Sequence, residues 1–309
     1  MPAFFSPQDM RALLQPIGQM QPEPAAFADY RRFYRTDFAG ATTYSGLLKV
    51  LDYQLVVQLW QPVAPRGTLM ILHGYYDHLG LYRHLIRWAL GQGFAVFACD
   101  LPGHGLSSGA RADIGDFAEY QATLQALLQQ AAQLELPKPW HLLGQSTGAG
   151  ILLDYLLRGA VCEEIGQIIL LAPLIRPRAW AWSKLLWYLI GGFKDSIERR
   201  FTDNSNDSEF LSFIRQEDPL QPRQLPCRWV GALMRWIPLI ENAAPSERAV
   251  LLVQGDADHT LNWQHNLKVI QKKLPNARRL LLSGAKHHLA NESENLRQHY
   301  LRFLEQNLA

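Results

Sequence analysis

Between residues 68 and 173 the chain alternates short apolar runs with amphipathic stretches, and that rhythm constrains its fold more than any other feature. "TLMILHG" (68–74) precedes the helix-like "LYRHLIRWALGQG", and "FAVFACD" (94–100) precedes "FAEYQATLQALLQQAAQL". "WHLLGQ" (140–145) leads into "GAGILLDYLLRG", and "IGQIILLAP" (165–173) follows. After an interruption the alternation resumes with "RAVLLVQGDAD" (248–258), "LNWQHNLKVIQKKL", "RRLLLSG" (278–284) and a terminal helix near 292–307. Near-continuous apolar strands separated by amphipathic helices imply a mostly parallel sheet covered on both faces. Ahead of it, "LLKVLDYQLVVQLWQP" reads as a two-strand hairpin, so eight strands are expected in all.

Two further segments depart from this rhythm. Residues 1–40 open with a helix signal, in which Ser6 caps, Pro7 takes the first helical position, and Met10, Leu13 and Leu14 share a face ending at Pro16. Phe27, Tyr30, Phe33 and Tyr34 then recur at helical spacing and are expected to cover the main domain. The stretch 176–245 reads as all helix and is rich in aromatics, among them Trp180, Trp182, Trp187, Trp229 and Trp236. A break in the α/β rhythm followed by its return marks an insertion, so the expected organisation is an extension (1–40), a core (41–175 and 246–309) and a helical cap (176–245).

Composition excludes several classes of function. A net charge of +2 with no Lys/Arg-rich block offers nothing to nucleic acid. Cys99, Cys162 and Cys227 form no CxxC pair, which argues against a disulfide framework or zinc site and fits a reducing compartment. "MPAFFSPQDM" lacks the basic start and apolar stretch of a secretory signal, and no run approaches the roughly 18 residues of a membrane span. The expectation is a cytoplasmic protein. "AWAWSKLLWYLIGGF" (179–193) is nonetheless apolar enough to touch a membrane surface.

The chemistry is concentrated at "HLLGQSTGAG" (141–150). A G-x-S-x-G turn between strand and helix forces the serine into a tight corner that only glycines can flank, exposing its hydroxyl above the sheet. Ser146 would be a nucleophile there, and a serine needs a base oriented by a carboxylate. In that chain order Asp256 and Asp258 follow the seventh strand and His287 and His288 follow the eighth. Other histidines have structural readings. His104 fixes its loop, His73 and His78 brace the loop after the third strand, and His84, His259 and His265 form no metal-ligand pattern. Asp100 is placed to cap locally, and Cys99 to fill core. No metal and no cofactor is expected.

These motifs resemble the α/β-hydrolase superfamily, and within it the monoacylglycerol lipase and lysophospholipase group, also described as serine aminopeptidase-like hydrolases. "LHGYYDHLGLYRHL" is similar to that group's H-G-x-x-E/D-H-x-x-x-Y, and "CDLPGHGLSSGAR" to its D-x-x-G-H-G-x-S-x-G-x-R. "IILLAPLI" matches the strand after the elbow, and "DPL" (218–220) a short cap motif. The resemblance spans about residues 40 to 305. It implies Ser146, Asp258 and His287 as the triad, with His288 as the alternate base and Asp256 left to shape its loop. It also implies an oxyanion hole from the backbone N–H groups of Tyr75 and Thr147. Tyr75 is bulkier than the group's common small residue, and Gln145 stands where a histidine or an aromatic is commoner.

The expected function is a serine hydrolase that cleaves carboxylic esters of lipid-like acyl groups, monoacylglycerol or lysophospholipid, through an acyl-enzyme. The alternatives are a thioesterase, a small-ester esterase or an aminopeptidase using the same triad, or a hydrolase-like binding protein without turnover. An aminopeptidase would want cap acids near the substrate amine; Asp195, Glu198, Asp203, Asp207 and Glu209 read instead as a solvated face. The expected partner is a small acyl ester, with peripheral membrane contact through the cap.

Overall fold

The structure is a computed structural model and describes residues 5–191 and 193–308. Residues 1–4, Gly192 and Ala309, which the three expected segments include, lie outside the described residues.

The hairpin is β1 (Ala41–Val50) with β2 (Tyr53–Pro62), paired antiparallel from Ala41 opposite Pro62 to Val50 opposite Tyr53. The strands that follow are β3 (Thr68–Leu72), β4 (Ala95–Cys99), β5 (Trp140–Gln145), β6 (Ile165–Leu171), β7 (Leu251–Gly255) and β8 (Arg278–Leu282). They form one eight-stranded sheet in the order β1-β2-β4-β3-β5-β6-β7-β8. β2 meets β4 antiparallel, and every pairing from β4 to β8 is parallel. Each residue of β3, β4 and β5 is buried, as strands with helices on both faces must be.

Successive side chains alternate between two cores. Met70, Leu72, Phe97 and Cys99 enter one, with residues of α4 (Ala118–Gln133) and α5 (Thr147–Arg158). Leu69, Ile71, Val96 and Ala98 enter the other, beneath α3 (Arg83–Gly91) and the terminal helix Glu294–Glu305. Burying each large apolar side chain contributes about 1.5–3 kcal/mol.

The first forty residues belong to that second face. α1 (Pro7–Ala12) starts where Ser6 Oγ accepts from Asp9 N–H at 3.3 Å. Met10 and Leu14 are buried, but Leu13 is 48% exposed, because α1 ends at Ala12 and Leu13 turns away from the face it was expected to share. α2 (Ala25–Tyr34) buries Phe27, Tyr30 and Tyr34, and the buried Arg31 pairs with Glu23.

Between β6 and β7 the chain leaves the sheet. It forms α6 (Trp180–Ile190), α7 (Ser208–Gln216) and α8 (Cys227–Asn242). The segment is not all helix. Ser196–Glu198 pairs antiparallel with Gln224–Pro226 in a short ribbon. Three-residue strands are too short to carry a period, which is why helix was the expectation there. α8 lies against α5, where Trp236 Nε1 donates to the buried Asp154 at 2.9 Å.

Parallel register brings the functional loops to one rim. Leu72 faces Gly144, Gln145 faces Leu171, Leu171 faces Val253, and Gly255 faces Leu282. The loops after β3, β5, β7 and β8 therefore emerge at the same edge, where parallel sheets place their ligand sites.

Candidate active site

Ser146 joins β5 to α5 in a backbone conformation that L-residues rarely adopt, φ 54° and ψ −109°. Two close approaches maintain it. A Cβ on Gly148 would collide with the Leu72 carbonyl, and one on Gly144 with the backbone of Gly148 and Ala149. Ser146 N–H donates to Leu171 O at 2.8 Å, and its own carbonyl accepts from Gly150 and Leu174. Such strain persists only where its surroundings over-determine it.

The Ser146 hydroxyl meets His287 Nε2 at 2.9 Å, and His287 Nδ1 meets Asp258 Oδ2 at 2.8 Å. All three residues are buried. Asp258 Oδ1 accepts from the N–H groups of Thr260 (2.8 Å) and Leu261 (3.0 Å), and Gln254 Nε2 donates to Oδ2 at 3.1 Å. Burial works to raise the Asp258 carboxyl. The His287 charge and hydrogen bond, with those two backbone donors, outweigh it and hold Asp258 below its usual value. A carboxylate so held fixes the imidazole with Nε2 facing the hydroxyl.

The neighbouring candidates have other attachments. His288 points away from Ser146, with Nε2 3.1 Å from Asp77 Oδ1. Asp77 Oδ2 also accepts from Tyr82 Oη and Gly74 N–H, so one carboxylate ties the loop after β3 to the loop after β8. Asp256 Oδ1 accepts from Gly284 N–H at 2.7 Å and shapes its turn. Gln145 Nε2 donates to His287 O at 3.0 Å and steadies the imidazole from behind.

Tyr75 N–H has no protein acceptor among the described residues, and Thr147 is the first residue of α5, where an N–H lacks an intrahelical partner. Both residues line the cavity containing Ser146. Tyr75 is locked sideways, its ring stacked on Trp229 of α8 at 3.8 Å and 19°, and its hydroxyl donates to Ala112 O. That contact between the inserted segment and the oxyanion loop has no trace in the local sequence.

The remaining histidines behave largely as expected. His73 bridges Gly74 O and Leu101 N–H, and His104 bonds Pro102 O. Asp100 accepts from the N–H groups of Leu79 and Leu106. His78 differs. It braces the β3 loop through a distant partner, meeting Asp218 Oδ2 at 2.9 Å, while Tyr34 donates to Asp218 Oδ1 at 2.7 Å. The "DPL" aspartate thus fastens the inserted segment to both core and N-terminal extension. His265 pairs with Glu241, which also takes Arg176. No group of three or more potential metal ligands occurs among the described residues.

Two chambers meet at Ser146. One, of about 310 Å³, is apolar and runs beneath α6 and α8, lined by Trp180, Leu186, Trp229, Val230 and Leu233. The other, of about 920 Å³, is mixed, with Tyr76, Ile197, Phe201 and Leu225 beside Asp77, Arg199, Arg200, Asn204 and His287.

A family profile described as "Serine aminopeptidase, S33" matches residues 63–294. The chain belongs to this family. A monoacylglycerol lipase of Mycolicibacterium smegmatis is 29% identical over 219 residues, covering 67% of this chain and 76% of that protein. A phospholipase of Bacillus subtilis is 32% identical over 200 residues, covering 63% of this chain and 74% of its own. Among solved structures, a soluble variant of the Saccharomyces cerevisiae monoglyceride lipase with a substrate analog superposes at TM-score 0.73 with 19% identity, covering 86% of this chain and 96% of that one. The fold is that of an α/β-hydrolase, and this member of the S33 family is a serine hydrolase.

Proposed function

We propose that the chain hydrolyses carboxylic esters of single-chain lipids, of the monoacylglycerol or lysophospholipid class, through an acyl-enzyme on Ser146. The observation that carries this reading is the apolar chamber opening beside the Ser146 hydroxyl. Each buried methylene is worth about 0.8 kcal/mol, so a chamber of this kind rewards an acyl chain. The named activities of the lipase and phospholipase relatives point the same way.

In the proposed reaction Ser146 Oγ attacks the ester carbonyl as His287 Nε2 takes its proton. Asp258 holds the imidazole and stabilises its cation. The Tyr75 and Thr147 N–H groups receive the oxyanion. His287 returns the proton to the leaving alcohol. Water, deprotonated by the same imidazole, then releases the acid. Residues 176–245 act as the cap that walls the acyl chamber.

The outer face of α6 is the surface through which the cap meets a lipid interface. Trp182 (73% exposed), Tyr188 (70%), Leu185 and Leu189 stand there, with Phe193 (91%) just past the end of the helix, beyond the scattered apolar residues of an ordinary surface. Among the described residues no helix is long and apolar enough to cross a membrane. Flotation with phospholipid vesicles is expected to carry the protein, and Trp182→Ser with Leu189→Ser to release it.

A panel of glycerol esters of rising acyl length, assayed beside aminoacyl-naphthylamides, tests the reaction. The expected result is kcat/KM climbing with chain length and negligible amide cleavage. Preference for the naphthylamides would overturn the lipid reading.

A further inference from the structure

The second chamber adjoins the proposed acyl site, sharing Tyr76, Ser146 and Leu225 with it, and it gathers two arginines where the leaving alcohol would sit. Arg199 is its most constrained member. The guanidinium is clamped between the rings of Tyr76 (4.0 Å) and Phe201 (4.2 Å). Its Nη1 donates to Gln221 Oε1 at 2.7 Å and to Pro222 O at 3.1 Å. Nε–H and Nη2–H have no acceptor among the described residues, and no carboxylate there pairs with this cation. That free edge is the one with which arginine grips a phosphate in bidentate fashion.

The charges around it do not cancel. Arg200 lines the same chamber without an ion pair among the described residues, and Arg223 lies behind Phe201 at 5.0 Å. Against them stand Glu198, which is exposed, and Asp77, whose oxygens already serve His288, Tyr82 and Gly74. Burial also pulls the Arg199 guanidinium below its usual value, outweighing the opposing influence of Tyr76 and of the Asp77 charge nearby.

We infer that the arginine-bearing part of the second chamber is an anion subsite, in which Arg199, helped by Arg200, grips a phosphate on the leaving alcohol, so that lysophospholipids with an uncovered phosphate are preferred over neutral monoacylglycerols. This rests on the ester-hydrolase reading above and narrows its substrate class. A phosphate in the chamber supplies the missing acceptors of Arg199, whereas a neutral glycerol leaves its free edge without an anion.

The test compares 1-octanoylglycerol with 1-octanoylglycerol 3-phosphate, both below their micellar concentrations, with the wild-type enzyme. The expected result is a kcat/KM for the phosphate ester about tenfold to a hundredfold above that for the neutral ester, the range of one charge-assisted bidentate contact. The ratio should shrink with added salt. Arg199→Gln should bring it close to one and Arg199→Lys restore part of it. Arg200→Gln, on an exposed side chain, should lower the ratio even if Arg199→Gln fails to fold. A wild-type ratio of one or below, or a ratio unmoved by both Gln variants, would overturn the subsite while leaving the hydrolase intact. Cleavage of neither ester would instead sink the ester-hydrolase reading, and the subsite with it.

Discussion

Replacing Asp258 by Asn isolates the electrostatic part of the relay, because the surroundings dictate how the amide must sit. Two backbone donors, Thr260 N–H and Leu261 N–H, hold Oδ1 at 2.8 and 3.0 Å, and only an oxygen can accept from both. The new NH₂ group therefore takes the place of Oδ2 and faces His287 Nδ1 across 2.8 Å. Nδ1 must now accept, the proton moves to Nε2, and Ser146 Oγ loses its base. A wrong tautomer in otherwise intact geometry costs about 10⁴ in kcat, or roughly 5 kcal/mol. Folding should survive. Gln254 Nε2, which donates to Oδ2 at 3.1 Å and to Gly255 O at 3.0 Å, would clash donor to donor; turning the amide over lets Oε1 accept from the new NH₂ at the cost of the Gly255 bond, a modest loss of stability. The assay is steady-state hydrolysis of p-nitrophenyl octanoate alongside thermal unfolding by circular dichroism. The expected outcome is a loss of about 10⁴ with a Tm shift of a few degrees. Asp256→Asn, which disturbs only the Gly284 turn, should cost less than about tenfold. An Asp258→Asn enzyme within tenfold of wild type, or a larger loss at Asp256, would refute the assignment.

Three other perturbations address the chamber, the elbow and the cap. Val230→Phe narrows the apolar chamber; losing room for three methylenes should cost a dodecanoyl ester about 2.4 kcal/mol, roughly 60-fold, relative to a butyryl ester. An unchanged chain-length profile would place the acyl group elsewhere. Gly148→Ala sets a methyl against the Leu72 carbonyl and should abolish probe labelling or folding, whereas a fully active variant would contradict the elbow geometry. For the latch, burial opposes charge on both partners but their mutual attraction prevails, so Asp218 is lowered and His78 raised. The aspartate's contribution is lost as pH falls below its unfolded value near 3.9. The histidine's is fully present below its unfolded value near 6.5 and lost as pH climbs through the raised one. The Tm deficit of Asp218→Asn should therefore be greatest between about pH 4 and 6.5, and a deficit flat across pH would show that the pair carries no charge.

Much of this architecture could be read from the chain, for identifiable reasons. Strands such as Leu69–Leu72 and Val96–Cys99 are buried on both faces, so their apolar runs are continuous and unmistakable. The elbow is legible because backbone crowding leaves no alternative to glycine at 144 and 148. The order of Ser146, Asp258 and His287 follows from strand ends sharing one rim, and the structure brings these three together. It leaves Asp256 and His288 bonded elsewhere. What could not be read is what depends on distant partners. The Tyr75–Trp229 stack joins residues 154 positions apart, and the Tyr34–Asp218 bond spans 184. Nothing near His78 indicates that its partner lies in the inserted segment. Arg199 looks like one of several charges in a polar stretch until Tyr76 and Phe201 are seen to enclose it.

Intact-mass analysis after incubation with a fluorophosphonate probe tests most directly whether Ser146 is an activated nucleophile. One adduct per chain, mapped to the peptide holding Ser146 and absent from a folded Ser146→Ala variant, is the result this account predicts. Correctly folded wild-type protein that takes up no probe, or takes it up at another residue, would contradict it.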